Sequence, residues 1–383
     1  MTTAAEKDLT TIRWDHTGAL RRPDWLRELG YQHTEGKAAD AELRAGQDRA
    51  IREMAAKEEA AGIPVLTDGE FRRQSYHVSF GAAVSGYDNV IPYVYRRPQP
   101  REAPGRLPSG MSGPGPAIVH RLPVKERLRL VKNVILDEYK FAASITDRPV
   151  KVTLIGPDRV WHRFEWENSK QVYPDPESFM ADVVDIDKRM ISELVEAGCR
   201  YVQFDEPSYI DHVDPGFLAA MSARGEDSKE TLNRAIQATN SIIDSFPGVT
   251  FGVHICRGGG GGRGGRIHRE GSYDEIAEQL FSELHFDRYL LEYDSDKAGG
   301  FEPLRFVPKG KVVMLGLVCN NTPDVESADY LRSRLNEASK YLPLEQAAIG
   351  PRCGLGSLDE EIMWSKLRVI RQVAEETWGS KAD

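Results

Sequence analysis

Residues 150–207 hold three consecutive patterns: VKVTLIGP (150–157), DPESFMADVVDIDKRMISELVEAG (175–198) and RYVQFDEP (200–207). The outer two are short apolar runs that end in Gly, Pro or acidic residues, as buried parallel strands do. The middle one reads as a helix. Strand, helix and strand in that order predict a right-handed βαβ unit and a parallel sheet. The alternation repeats outward from this unit. TIRWDHTG (11–18) and IPVLTDGE (63–70) precede it, and VTFGVHIC (249–256), RYLLEYD (288–294), VVMLGLV (312–318) and AAIGPRCG (347–354) follow. Helical segments mostly separate these runs: AELRAGQDRAIREMAAKEEAAG (41–62), KERLRLVKNVILDEYKFAASI (125–145), KETLNRAIQATNSIIDSF (229–246), SYDEIAEQLFSEL (272–284), ESADYLRSRLNEASKYL (326–342) and DEEIMWSKLRVIRQVAEETW (359–378). Gly62 suits the C-terminal cap of the first. Eight strands of this kind predict an α/β fold, a single (β/α)8 TIM barrel spanning residues 1–383. No GxGxxG follows the first strand, which disfavours a doubly wound Rossmann sheet. Residues 80–122 are rich in Pro, Gly and Arg and predict an insertion after the second strand, a hairpin with a lid over the barrel mouth. RGGGGGRGGRIHREG (257–271) is a second break, whose backbone N–H groups and guanidinium forks suit an anion.

Composition narrows the function. The chain has 383 residues, 40% hydrophobic and 28% charged, enough to bury a sizeable core. Its net charge of −9 is the wrong sign for a nucleic-acid binder. No apolar run approaches the ~20 residues of a membrane span, and MTTAAEKDLTTIRWD lacks the layout of a signal peptide. The expected location is the cytoplasm. The four cysteines, Cys199, Cys256, Cys319 and Cys353, are too few for a disulfide scaffold and read as thiols or metal ligands.

The chemistry-bearing residues recur at the C-terminal ends of the expected strands: Asp15 and His16, Asp68 and Glu70, Asp205 and Glu206, His254 and Cys256, Glu292, and Cys353. In a barrel those ends meet on the face where active sites are built. Taken singly, Cys256 and Cys353 read as packed thiols and His254 as a core histidine. Taken together, one imidazole, one carboxylate and two thiolates make a tetrahedral zinc shell, or three ligands plus a displaceable one. His254 and Cys256 are two apart, so on a strand both point to one side. By the same alternation only one of Asp205 and Glu206 faces the site. Trp161, after VTLIGPDRV, is an expected aromatic wall for a substrate. Cys319 reads as a packed thiol.

The stretches DHTGALRRPDWL (15–26), TDGEFRR (67–73), QFDEPSY (203–209), HICRG (254–258), LLEYDSDKAG (290–299), LGLVCNNTPDVES (315–327) and GPRCGLGS (350–357) resemble the catalytic C-terminal domain of the cobalamin-independent methionine synthases and their short single-domain relatives. They occur in family order and cover nearly the whole chain. The resemblance implies a barrel related to uroporphyrinogen decarboxylase and Zn2+ held by His254, Cys256, Glu292 and Cys353. It also implies that Glu70 and Asp205 hold the amino group of homocysteine, and that a zinc-bound thiolate accepts a methyl group to give methionine. A metal-held thiolate is nucleophilic at neutral pH. His16 and Trp161 join the expected substrate contacts.

Four features depart from the family pattern. The family's additional N-terminal barrel, which helps hold the folate tail, is expected to have no counterpart. Gly18-Ala19 stands where Gly-Ser is common, and Cys319-Asn320-Asn321-Thr322-Pro323 lacks a histidine thought to relay a proton. The Gly-rich segment after Cys256 is expanded. The donor is therefore open among methylfolate, methylcobalamin and an epoxide. An epoxyalkane:coenzyme M transferase-type reaction, in which the thiolate opens an epoxide, competes with methionine synthesis. A metal-free decarboxylase of the same fold is a third reading. The expected partners are a small-molecule thiol and a methyl or alkyl donor.

Overall fold

The computed structural model describes residues 9–73, 76–88, 122–258 and 269–379. Most of the expected lid (80–122) and of the Gly/Arg-rich segment lies outside these. An antiparallel pair, β1 (Val84–Tyr87) and β2 (Val124–Leu130), flanks the undescribed part of the insertion. Six parallel strands follow in sequence order: β3 (Lys151–Ile155), β4 (Tyr201–Asp205), β5 (Thr250–Ile255), β6 (Arg288–Glu292), β7 (Val312–Val318) and β8 (Ala347–Pro351). Every residue of these six is buried, as expected of strands covered on both faces.

Period-two alternation gives the sheet two unlike faces. Val152, Leu154, Val202, Phe204, Phe251, Val253, Tyr289, Leu291, Val313 and Leu315 point outward into the main apolar core beneath the helices. Lys151, Thr153, Tyr201, Gln203, Asp205, His254, Arg288, Leu290 and Glu292 alternate with them and face the other way. Small separate apolar clusters, such as Leu290 with Val312, Met314 and Ala348, fill that inner face. Helix Pro176–Glu196 packs on Ser228–Ile243 and on Val134–Ala143, and Ala328–Ala338 packs on Glu360–Trp378. Asp175 caps the first of these by accepting a hydrogen bond from the Ser178 N–H at 2.7 Å, a contact worth about 1 kcal/mol.

The described layout differs from the expected one at two places. Among the described residues the sheet has six regular strands and is not closed into a ring. The stretches read as first and second strands each touch one edge of it through a single parallel bridge, Trp14 to Ile349 of β8 and Leu66 to Val150. The reason is local. In the first stretch, the carbonyls of Thr10 and Ile12 accept from Arg288 at 3.0 and 2.9 Å, and that of Thr17 from Gln203 at 2.9 Å. The His16 carbonyl accepts from Lys151. Side chains thus take bonds a ladder would use. In the second, Gly69 and Glu70 both turn to positive φ, 66° and 59°, which no strand tolerates. The other difference concerns 125–145, expected as one helix. Its first part is β2, with Val124 and Leu128 buried and Lys125, Arg127 and Arg129 exposed, and the helix begins only at Val134, capped by Asn133.

Candidate metal and substrate site

The sheet register sets the site. Ile155, Asp205 and His254 are successive partners across β3, β4 and β5, so the Asp205 and His254 side chains stand next to each other at the C-terminal end. Cys256 follows two residues after His254, and Cys353 two residues after the end of β8. The ligand atoms of His254, Cys256 and Cys353 all lie within 4.8 Å of one another. All four cysteines are free thiols. Cys319 is outside the cluster, and Cys199 is sealed at the opposite end, where burial pushes its thiol up to about 12.

The cluster is electrostatically poised. A hydrogen bond from Cys353, with His254 beside it, holds the Cys256 thiol well below its ordinary range despite burial. The same bond, together with burial, pushes Cys353 up. Burial disfavours the charged imidazole of His254, but the Cys256 thiolate and Asp205 outweigh it and raise the ring's pKa. His254 Nδ1 faces the Leu290 carbonyl at 3.3 Å, while its buried Nε2 has no hydrogen-bond partner.

Glu292 is fully buried at the end of β6 but outside that three-residue cluster. The Arg257 backbone N–H donates to its Oε2 at 2.8 Å, and Arg352 Nη1 to its Oε1 at 3.2 Å. Arg352 also pairs with Asp294 at 3.2 Å and donates to Asn320 Oδ1 at 2.9 Å. Arg352 was not singled out from the sequence, although it stands beside Cys353 in GPRCG. It reaches this position because Gly316 has no side chain: a Cβ there would lie 2.6 Å from Arg352 Cα.

Glu70 approaches from the irregular edge. Among the described residues it is the one non-glycine with positive φ, a conformation that costs energy and concentrates at functional sites. Its N–H donates to Asp68 Oδ1 at 2.9 Å, which accounts for Asp68 as a turn residue, and Thr153 Oγ1 donates to Glu70 Oε1 at 3.1 Å. Gly18, at φ 122°, packs against both: a Cβ there would sit 2.9 Å from Thr153 Cγ2 and 3.2 Å from Glu70 Oε1. Burial pushes the Asp205 carboxyl up to about 7, opposed by His254 and reinforced by Glu70, and Gln203 donates to its Oδ1 at 2.8 Å. Glu70 also lines a concavity of about 340 Å³ whose other walls include Ala19, Arg21, Arg22, Arg27 and Gly356.

Two expected substrate contacts, His16 and Trp161, are both buried. His16 is buried with both ring nitrogens engaged, Nε2 with Glu58 Oε1 at 3.1 Å and Nδ1 accepting from the Gly18 N–H at 3.3 Å. Trp161 is buried against Phe164, Phe179 and Trp166, with ring centroids 5.8, 6.0 and 6.4 Å away, and Arg234 lies over its face. Glu206 points away from Asp205 and accepts from the Asp158 N–H at 3.1 Å.

Residues 24–257 and 260–376 match the family model described as the catalytic domain of cobalamin-independent synthase, and the chain belongs to that family. It is 30% identical to the uncharacterized Bacillus subtilis (strain 168) protein YxjH over 378 residues, 96% of this chain and 95% of that one. It is 26% identical over 368 residues to the methionine synthase of Pyrococcus abyssi (strain GE5 / Orsay), covering 94% and 92% of the two chains. The fold is similar to the crystal structure of a putative vitamin-B12 independent methionine synthase from Listeria monocytogenes, with a TM-score of 0.72, 23% identity, and 96% and 98% of the two chains covered. No helix among the described residues is long and apolar enough to cross a membrane.

Proposed function

We propose that this chain is a zinc-dependent methyltransferase acting on a thiol, with homocysteine as the acceptor and methionine as the product. The observation that carries the reading is the convergence of His254, Cys256 and Cys353 to within 4.8 Å at the sheet end that also holds Asp205. The barrel is proposed as a single (β/α)8 domain in which the segments around Trp14 and Leu66 take the places of the first two strands, with 80–122 as its insertion. Free thiols and a poised thiolate suit a reducing compartment, the cytoplasm.

The residues fit a zinc ion. A buried imidazole nitrogen without a partner, a thiol held toward its thiolate and a second thiol beside it form a borderline-soft donor set. Glu292 is the proposed fourth ligand, exchanging its bonds to Arg352 and Arg257. When bound, zinc lowers the pKa of a thiol that reaches it. The protein's own residues do the rest. Glu70 and Asp205 supply negative charge for the substrate ammonium, and a cation beside Asp205 draws its carboxyl back toward ionisation. Thr153 and Gln203 fix those two carboxyls. His16, bonded to Gly18 and Glu58, holds the turn on which Glu70 packs. Trp161 braces the turn after β3 from below. The arginines around the concavity beside Glu70 suit the carboxylate of an amino acid.

The coenzyme M reading uses the same thiol chemistry but brings a sulfonate toward Glu70 and Asp205, which repel it. The decarboxylase reading leaves His254 Nε2 and both thiols without work. The deciding experiment incubates the zinc-loaded protein with homocysteine and, in turn, methylfolate and methylcobalamin, with methionine read by mass spectrometry. Methionine from one donor is the expected result. A thioether formed only from coenzyme M and an epoxide transfers the assignment to the competing reaction.

A further inference from the structure

A second polar cluster, which the proposed methyl transfer does not use, sits at the same end of the sheet. Asp158 and His162 lie four residues apart on the helix Pro157–His162 that follows β3, and His212 ends the 3-10 turn Pro207–His212 that follows β4. All three are buried, and their ligand atoms lie within 4.8 Å of one another. His162 Nε2 is 3.6 Å from Asp158 Oδ1, and His212 Nε2 is 3.6 Å from Asp158 Oδ2. None of these four atoms makes a hydrogen bond of normal geometry. Buried polar atoms are seldom left so, and four facing one another call for an occupant.

The opposite ring nitrogens say what kind. His162 Nδ1 is 2.9 Å from Asp211 Oδ2, and His212 Nδ1 is 2.9 Å from Ser228 Oγ. Asp211 is held in turn by Arg269, so it is an ionised acceptor. In the tautomer whose Nδ1–H donates to Asp211 or Ser228 on the far side, each imidazole turns a bare Nε2 lone pair toward the same carboxylate. That outer support is the arrangement by which proteins orient metal-binding histidines. A separation of 3.6 Å is too long for a hydrogen bond, yet close to the about 3.3 Å between neighbouring ligand atoms of a tetrahedral shell with bonds of ~2.0–2.1 Å.

We propose that Asp158, His162 and His212 form a second metal site, separate from the cysteine cluster, that takes a divalent first-row transition ion of the zinc class through one carboxylate and two imidazole nitrogens. Three protein ligands leave at least one coordination position for water or an anion. The ion fastens the turn after β3 to the turn after β4. Through His162 and Asp211 it also steadies Arg269, where the described chain resumes after the Gly/Arg-rich segment. Without thiolate, this site is harder than the first and binds cobalt(II) without sulfur charge transfer.

The test uses the full chain carrying Cys256→Ser and Cys353→Ser, stripped with chelator and titrated with cobalt(II). One equivalent should bind with d–d bands and no sulfur-to-cobalt charge transfer, while the parent takes two. Adding Asp158→Asn or His212→Gln should weaken that equivalent about tenfold or more. X-ray absorption on the cysteine variant reads the same site without touching it further, and two imidazoles in an all N/O shell are expected. A cysteine variant that binds no cobalt overturns the proposal. So does binding that Asp158→Asn and His212→Gln, each shown folded by circular dichroism, leave unchanged. Neither result bears on the first site, whose thiolate signature is read separately in the parent.

Discussion

The regular strands β3–β8 and the irregular edge made by residues 9–20 and 63–73 meet at one site but are built on different physics. The regular half holds its functional side chains by register: Asp205 and His254 are strand partners, and Cys256 and Cys353 follow two residues beyond them and beyond β8. The edge has almost no ladder. It is held by buried charge: Lys151 pairs with Asp15 at 2.9 Å, Tyr201 donates to the same carboxylate at 3.2 Å, and Arg288 gathers the carbonyls of Leu9, Thr10 and Ile12. Freed from strand geometry, the edge can hold Glu70 at a φ of 59° against Thr153. On the proposed function, metal binding belongs to the regular half, and the substrate amine is met from both sides, by Asp205 on β4 and by Glu70 on the edge.

The largest effect tests the regular half. Cys353→Ser should abolish zinc at the cysteine cluster and methionine formation with it, while the melting temperature moves little, because Cys353 is a loop residue rather than a core side chain. Metal analysis on dialysed protein checks this, and full retention of sulfur-ligated zinc would remove Cys353 from the site. Next comes the edge. Lys151→Met leaves Asp15 buried without its closest cation and should cost about 3–5 kcal/mol in chemical denaturation. If the loss is under about 1 kcal/mol, buried charge is not what holds residues 9–18 to the sheet.

The contrast also explains what the sequence could show. The runs at 150–157, 200–207, 249–256, 288–294, 312–318 and 347–354 all contain observed strands, because a covered parallel strand announces itself as an apolar run. His254, Cys256 and Cys353 were legible for the same reason: alternation and strand ends place them together. IPVLTDGE opens on an apolar run of the same kind and TIRWDHTG on a weaker one, but their carbonyls and turns are claimed by Arg288, Lys151, Gln203 and the Gly69–Glu70 pair. Those are long-range contacts that no local pattern encodes. KERLRLVKN suits either period, because its charged residues are closely spaced, and its first part forms β2. His16 and Trp161 stand near strand ends and are both buried, and position along a strand does not say where the turn after it points. The Asp158–His212 proximity joins the helix after β3 to the turn after β4 and has no signature beyond the four-residue spacing of Asp158 and His162.

A medium effect separates recognition from metal. Glu70→Gln should weaken homocysteine binding about tenfold to a hundredfold, the equivalent of about 1.5–3 kcal/mol for one charge-assisted hydrogen bond, with zinc content unchanged. Glu70→Gly should lose homocysteine as well, yet raise stability by about 1 kcal/mol, since glycine adopts that φ without strain. Calorimetric titration and thermal melts read the two quantities independently. A Glu70→Gln protein that binds homocysteine like the parent would sink the amino-acid assignment and with it the division between edge and sheet.

The smallest effect concerns a buried carboxylate that belongs to neither role. Asp187 lies on the core side of helix Pro176–Glu196, which packs over the regular half, and its Oδ2 has no hydrogen-bond partner. Burial alone pushes its carboxyl well above the usual range. The folded protein therefore keeps the proton after the unfolded chain has released it. Below pH ~4 both states hold it and the group is neutral in effect. As pH rises past that value the unfolded state ionises first, so stability falls until the folded group ionises too. Asp187→Asn removes the titration while keeping shape and polarity. The variant should match the parent near pH 4 and exceed it by about 1–2 kcal/mol at pH 8, read as a pH-dependent gap between denaturation midpoints. Zinc content and homocysteine affinity should not move, because the contact of this helix toward the site, Phe179 against Trp161, lies about two turns away from Asp187. A constant gap across that range would mean that Asp187 does not titrate differently in the two states. A drop in homocysteine affinity would mean that the packing behind the regular strands reaches the site they carry, and the sheet would then be no passive frame for the chemistry at its edge.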